Sequence, residues 1–348
     1  MMSKIKAPRG LMVAAALSLA LAATGCGGGA SAKPVPGGQA EANPEIAQLI
    51  EEAMEGGPVT VYAVIDERMV QKVQKAFTEE YGVELSYMRA TAAEIAQRFS
   101  AEAEAGAPVA DVLLNLNDGF IDDSLASGTL TPLEDAGIPG YPNALADEAV
   151  SDGAAVVQLS QLAIAYNTDR VSDVGGWKDL LKPELQDKVV IGSPDNGIYN
   201  SLFYSLSEEY GQDYLQDLGG QIDRVYSSGS QIIEAISSGE AYAVAGTLAA
   251  AIEIAQQSGA PVDAVVPDPT LLAPTMLAIN SEAPNSAGAR LLAYFLTTEA
   301  GLEALNDGPG LVAPTSDDVL NSGWVYGPTL DAEAKKHSAE IRKSLGIQ

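Results

Sequence analysis

Val59-Thr-Val-Tyr-Ala-Val-Ile65 is a short β-branched run, and a helical pattern follows it at Met69, Val73, Ala76 and Phe77. That succession recurs along the chain and constrains its fold more than any other feature. Gly82 stops the first helix, and Val83-Glu-Leu-Ser-Tyr-Met88 alternates as a second strand. Thr91-Ala-Ala-Glu94 is a capping box that opens a helix with Ile95 and Phe99 on its apolar face. Ala110-Asp-Val-Leu-Leu114 is a third strand, and Leu162–Tyr166, Lys188–Ile191, Ala241–Ala245 and Met276–Ile279 are later ones. Between them lie a short helix from Trp177 to Leu181, one bearing Leu202, Phe203 and Leu206, and one ending at Ser238. The last third is helical, from Ala287 to Leu305 and from Asp331 to Leu345. Strands alternating with helices imply βαβ units, an α/β fold and mostly parallel sheets.

The charge excludes some functions. Forty-seven acidic residues stand against 19 Lys plus Arg, a net −28 over 348 residues. Such a surface repels nucleic acid and anionic headgroups, so no nucleic-acid partner is expected. The length is a prior for two domains. At the N-terminus, Lys4, Lys6 and Arg9 precede an uncharged stretch from Leu11 to Ala23, the layout of a secretory signal. The stretch is too short for a spanning helix, which needs about 20 residues. Leu21-Ala-Ala-Thr-Gly-Cys26 resembles the lipobox of bacterial lipoproteins. The resemblance implies that residues 1–25 are removed and that Cys26, the only cysteine, carries the lipid. No disulfide or thiolate metal site is then expected in the body. Residues 26–57 read as a tether: Gly, Ser and Pro first, then an acidic stretch with Ile46, Leu49, Ile50 and Met54 at helical spacing.

Open α/β sheets bind ligands beyond the carboxyl ends of their strands. Those ends carry Asp66, Arg89-Ala-Thr91, Asn115 to Gly119, Asp195-Asn-Gly197, Ser227 to Ser230, and Gly246-Thr247. All are small or polar and several open helices, which suits an anionic ligand. Each also has a purely structural reading. Asp66 caps the next helix, Asn115 and Asn117 close a turn, and Asp195 and Asn196 divide the same way.

Val59-Thr-Val-Tyr62, Ala76-Phe77-Thr-Glu-Glu-Tyr-Gly82, Ala110-Asp-Val112, Ala165-Tyr-Asn-Thr-Asp169, Trp177-Lys-Asp-Leu-Leu181 and Ser237-Ser-Gly-Glu240 occur in an order that resembles a known family. It is that of the extracellular solute-binding proteins of ABC importers, in the branch with the ferric-ion-binding proteins. The resemblance implies a periplasmic binding protein type II-like fold: two α/β lobes with central mixed sheets, joined by crossing hinge strands. Lobe one would hold residues 58–160 and 275–348, lobe two 161–274, with crossings near Leu159 to Tyr166 and Pro274 to Ile279. The C-terminal helices would complete lobe one. It also implies a monomer, a small-molecule solute in the interlobe cleft, and a membrane permease as partner. Iron-binding members use an adjacent tyrosine pair where this chain reads Ala245-Gly-Thr-Leu-Ala249, and no such pair exists here. No metal and no cofactor are therefore expected. Other members bind small organic anions. Arg89 beside the capped Thr91 helix would pair with one, or it makes a surface ion pair. Ser227, Ser228 and Ser230 would add donors, or Ser228 with Gln231 is a second capping box. Tyr62, Tyr166, Tyr199 and Tyr226 fall near the implied cleft walls, although tyrosines buried in cores are commoner.

A ferric-iron-binding protein of the same family is the first alternative, and an exported hydrolase is the main rival from another class. The chain has no Gly-x-Ser-x-Gly elbow, and its sole histidine, His337, lies in a charged C-terminal helix. A carboxylate-only glycosidase passes a residue count but not the motif order. A sensor-docking role in signalling is the third reading.

Overall fold

The computed structural model describes residues 43–116 and 119–347. Chain order runs α1 (Pro44–Glu55), β1 (Val59–Ala63), α2 (Glu67–Tyr81), β2 (Leu85–Arg89), α3 (Ala92–Ala105), β3 (Val112–Leu116), α4 (Phe120–Ser127), β4 (Leu130–Thr131), β5 (Val150–Ser151) and β6 (Ala154–Asn167). The middle holds β7 (Val189–Gly192), α5 (Gly197–Tyr210), α6 (Gln212–Gly219), β8 (Ile222–Tyr226), α7 (Gly229–Ser238), β9 (Ala243–Leu248), α8 (Ala249–Gln257) and β10 (Val262–Val265). The chain ends with β11 (Leu271–Asn280), α9 (Ser286–Thr297), α10 (Glu299–Asn306), β12 (Leu311–Val312), α11 (Asp317–Leu320), β13 (Trp324–Val325), α12 (Pro328–Lys336) and α13 (Ser338–Ser344).

The main strand path is β2-β1-β3-β11-β6-β9-β7-β8. The β1–β2, β1–β3, β7–β8 and β7–β9 pairs are parallel, as helical crossovers require. β11 pairs antiparallel with both β3 and β6, and β6 with β9. The sheets are therefore mixed.

The buried residues gather in separate cores that mark two lobes, and successive residues of one buried strand face different cores. In β7, Val189 and Ile191 face one core with Leu202, Phe203 and Leu215, while Val190 faces another with Ile232, Ala235 and Ile252. Helices thus cover both faces of the second sheet. The first sheet has its own core, with Val61, Phe77, Leu113, Ile279 and Phe295 buried together.

Three segments cross between lobes. β6 passes from Leu159 in the first core to Leu162 in the second, and β11 returns from Leu271 in the second to Leu272 in the first. The third crossing follows α11 and was not expected. Leu320 packs in the first core and Tyr326 in the second. The backbone N–H of Trp324 donates to Thr270 O, and that of Tyr326 to Leu272 O.

Two expectations about the chain's ends need correction. The tether reading covers residues 44–55, whose helical spacing suits a short helix but leaves it outside the folded body. That helix is α1, capped by Asn43 and burying Ile46, Leu49, Ile50 and Ala53 against α9. An apolar stripe of that width is stable only when covered. The C-terminal helices do not complete lobe one. α12 and α13 pack on α5 and α6, with Ile341 and Leu345 inside the second core. Hydrogen bonds from Asn200 to Ser338 and from Ser344 to Gln212 join the two layers. Cys26 and the signal segment lie outside the described residues.

Candidate functional site

A cavity of about 260 Å³ lies between the lobes. The crossing strands lay its floor with Gln158, Ser160, Gln161, Ala273 and Thr275. Ile65, Met69 and Leu116 wall it on the lobe-one side, and Ile198 and the first turn of α8 on the other. A second space of about 650 Å³ continues it along Arg89 to Glu94 and Asn196 to Ile198. Among the described residues Arg89 is the one basic residue lining either space. It leaves the carboxyl end of β2, and its Nε donates to Ile65 O at 3.1 Å. No acidic side chain pairs with it among the described residues. A guanidinium without a carboxylate partner among the described residues keeps donors available to an anion.

The acids nearby are already engaged. Asp66 caps α2, accepting from Arg68 N at 3.0 Å and from Arg68 Nε at 3.1 Å. Glu94 closes the capping box of α3. Its Oε2 accepts from the Thr91 amide at 2.9 Å and from Thr91 Oγ1 at 2.8 Å, and the amide bond foremost holds its carboxyl below the usual range. Neither acid is drawn to Arg89.

The sequence model of the family described as bacterial extracellular solute-binding protein matches residues 107–325, more than half of the chain. The chain belongs to that family. A Haemophilus influenzae protein described only as uncharacterized is 26% identical over 312 residues, covering 83% of this chain and 88% of its own length. The fold is shared with solved structures at low identity. The periplasmic binding protein AfuA from Actinobacillus pleuropneumoniae, with fructose-6-phosphate bound, is 20% identical with a TM-score of 0.58, covering 84% of this chain and 99% of its own. A Trichodesmium protein in complex with iron and citrate is 16% identical with a TM-score of 0.59, over 84% of this chain and 100% of its own. The substrate-binding protein of an ABC transporter from Agrobacterium tumefaciens reaches 0.65 at 14% identity, over 83% and 94%.

In this solute-binding protein the expected site residues divide. Arg89, Thr91 and Asn196 meet in the larger space, and Asp66 joins Arg89 in the central one. Asn196 also caps α5, accepting from Ile198 N at 2.9 Å. Ser230, Thr247 and Tyr199 line a groove of about 630 Å³ on lobe two. Burial raises the Tyr199 phenol above its ordinary pKa. Ser228 caps α7 through Gln231 N at 3.3 Å, and exposed Ser227 precedes it outside these cavities.

Others do not reach the cleft. Tyr62 is 1% exposed in the first core. Burial, followed by its 2.6 Å hydrogen bond to Glu102, pushes its pKa up to about 12. Tyr166 packs against the second core and donates to Asp263 at 3.2 Å. Asp195 points to Arg342 Nη1 at 2.7 Å, joining α13 to the turn before α5. Asn117 lies outside the described residues. The sequence reading missed the first turn of α8, where Leu248 through Ala251 line the cavity. α8 has no side-chain cap, and an apolar first turn without one was the available signal.

Proposed function

We propose that this chain is the membrane-anchored receptor of an ABC importer, that it captures a small organic anion between its lobes, and that it hands the solute to a permease without chemical change. The observation that carries this reading is Arg89, unpaired by any acid among the described residues and shared by two connected cleft spaces at the capped start of α3. Ligand binding better to the closed form would draw the lobes together, and the permease would read that form. The lobe boundaries then fall at Ser160–Gln161, at Leu271–Leu272 and across residues 321–326. Cys26, lipidated, would hold the body at the membrane through the residues before α1.

Phosphonates, sugar phosphates and carboxylates are the anions to try, given the fructose-6-phosphate in AfuA. Ferric ion is the alternative, given the Trichodesmium complex. Among the described residues no three His, Cys, Asp or Glu side chains gather as a hard cation needs. A thermal-shift screen of these anions, amines and ferric citrate tests the reading. A true ligand at 100 times its Kd adds about 2.7 kcal/mol of stability. Arg89→Gln should abolish the shift. A ferric response with a coloured charge-transfer band, or turnover of any substrate, would sink the proposal. Cys26→Ser should release the protein from the membrane fraction.

A further inference from the structure

Two of the five large apolar side chains left exposed among the described residues, Leu248 at 48% and Ile254 at 41%, border the same concavity. Leu248, Ala251 and Ile254 line both the central cleft and the groove of about 630 Å³ on lobe two, so the two spaces are continuous across α8. Ile233 and Ala255 extend the apolar wall of that groove. Scattered exposed apolar residues are ordinary, but a pair on the rim of a ligand cleft is not scattered. A polyol needs converging hydrogen-bond donors and acceptors, and α8 offers it methyl groups.

We infer that the solute carries an apolar arm: its acidic group pairs with Arg89 and its hydrocarbon part lies over Leu248, Ala251 and Ile254 into the lobe-two groove. This rests on the reading of the cleft as an anion site. The cleft separates the two ends of such a ligand by chemistry. The cation stands on the lobe-one side, and the methyl-rich helix face stands opposite. An arm on α8 would remove the exposed Leu248 and Ile254 from water. Each methylene it buries strengthens binding roughly fourfold.

Calorimetric titration of the full chain with straight-chain carboxylates from acetate to octanoate, with fructose 6-phosphate in parallel, tests the inference. Affinity should rise about fourfold per added carbon over the first few, at one ligand per protein. The double variant Leu248→Ser/Ile254→Ser should flatten that rise and leave acetate unchanged. Both positions are half exposed, so the change empties no core. Arg89→Gln should weaken every member of the series by a similar factor. Affinity independent of chain length, no carboxylate binding, or an equal loss for acetate and octanoate in the double variant overturns the inference. In those cases fructose 6-phosphate binding that still needs Arg89 leaves the anion reading intact. Binding of any of these ligands that ignores Arg89→Gln removes the anion reading itself.

Discussion

A methyl group on Gly192 would stand 2.2 Å from carbons of the Tyr199 ring, so only glycine lets that ring lie over the end of β7. Gly192→Ala should swing Tyr199 toward the groove and cost about 1–3 kcal/mol by overpacking. Urea unfolding reads the cost, and tyrosine fluorescence reads the swing. Asp111 serves structure in another way. It is 1% exposed and accepts from Thr60 N and Asn285 N, both at 2.7 Å, tying β1 to the cap of α9. Burial raises its pKa more than the two amides lower it. An acid whose folded pKa is raised gives stability that is present below the ordinary value near 4 and is lost as pH rises through the raised one. Asp111→Asn turns an NH2 toward a backbone donor and should cost about 1–3 kcal/mol at pH 7. The gap should widen as pH falls toward 4, because only the native residue titrates. A constant gap in urea melts across that range would refute the assignment. Arg89, Thr91 and Asn196 were legible because strand ends and caps are local chemistry. Tyr62 and Tyr166 misled because a strand tyrosine bound for the core reads like one bound for a cleft wall. Leu248 gave only the faint signal of an uncapped apolar helix start, and nothing local in the sequence marks Ile254 as exposed.

At the scale of elements, the two chain ends teach the same lesson. The strand–helix alternation placed the main elements of both sheets, and the fold class followed from it. A helical stripe, however, carries no address for its partner. Ile46, Leu49 and Ile50 announced a helix in the supposed tether, but only the structure shows α9 waiting for it. Ile341 and Leu345 announced α13 without saying which core they enter. Ile341 is fully buried. Ile341→Ala should cost about 2–5 kcal/mol, as large-to-small core changes do. Hydrogen exchange should then accelerate in α5 and α6 and leave α1 and α9 protected. Equal acceleration in both sets would mean that the lobes unfold as one unit.

For the whole molecule, the question is what holds the lobes at their present separation. Arg68, in the first turn of α2, reaches Glu253 on α8 at 3.4 Å across the cleft while its Nε stays on Asp66. Both side chains are 35% exposed, so screening limits the pair to about 0.2–1 kcal/mol. That is small for a fold and large for a hinge. It changes a closed-to-open ratio by about 1.4- to 5-fold, without touching either core. Glu253→Gln should therefore raise the radius of gyration of the unliganded protein in solution scattering and leave the unfolding midpoint almost unmoved. High salt should produce the same expansion in the native protein and none in the variant, because only the native pair has an attraction to screen. If ligand selects the closed form, Glu253→Gln weakens its binding by the same factor that it opens the lobes. Matching factors from scattering and titration would make the pair a latch on the cleft. An unchanged radius would leave the three crossing segments alone to set the separation.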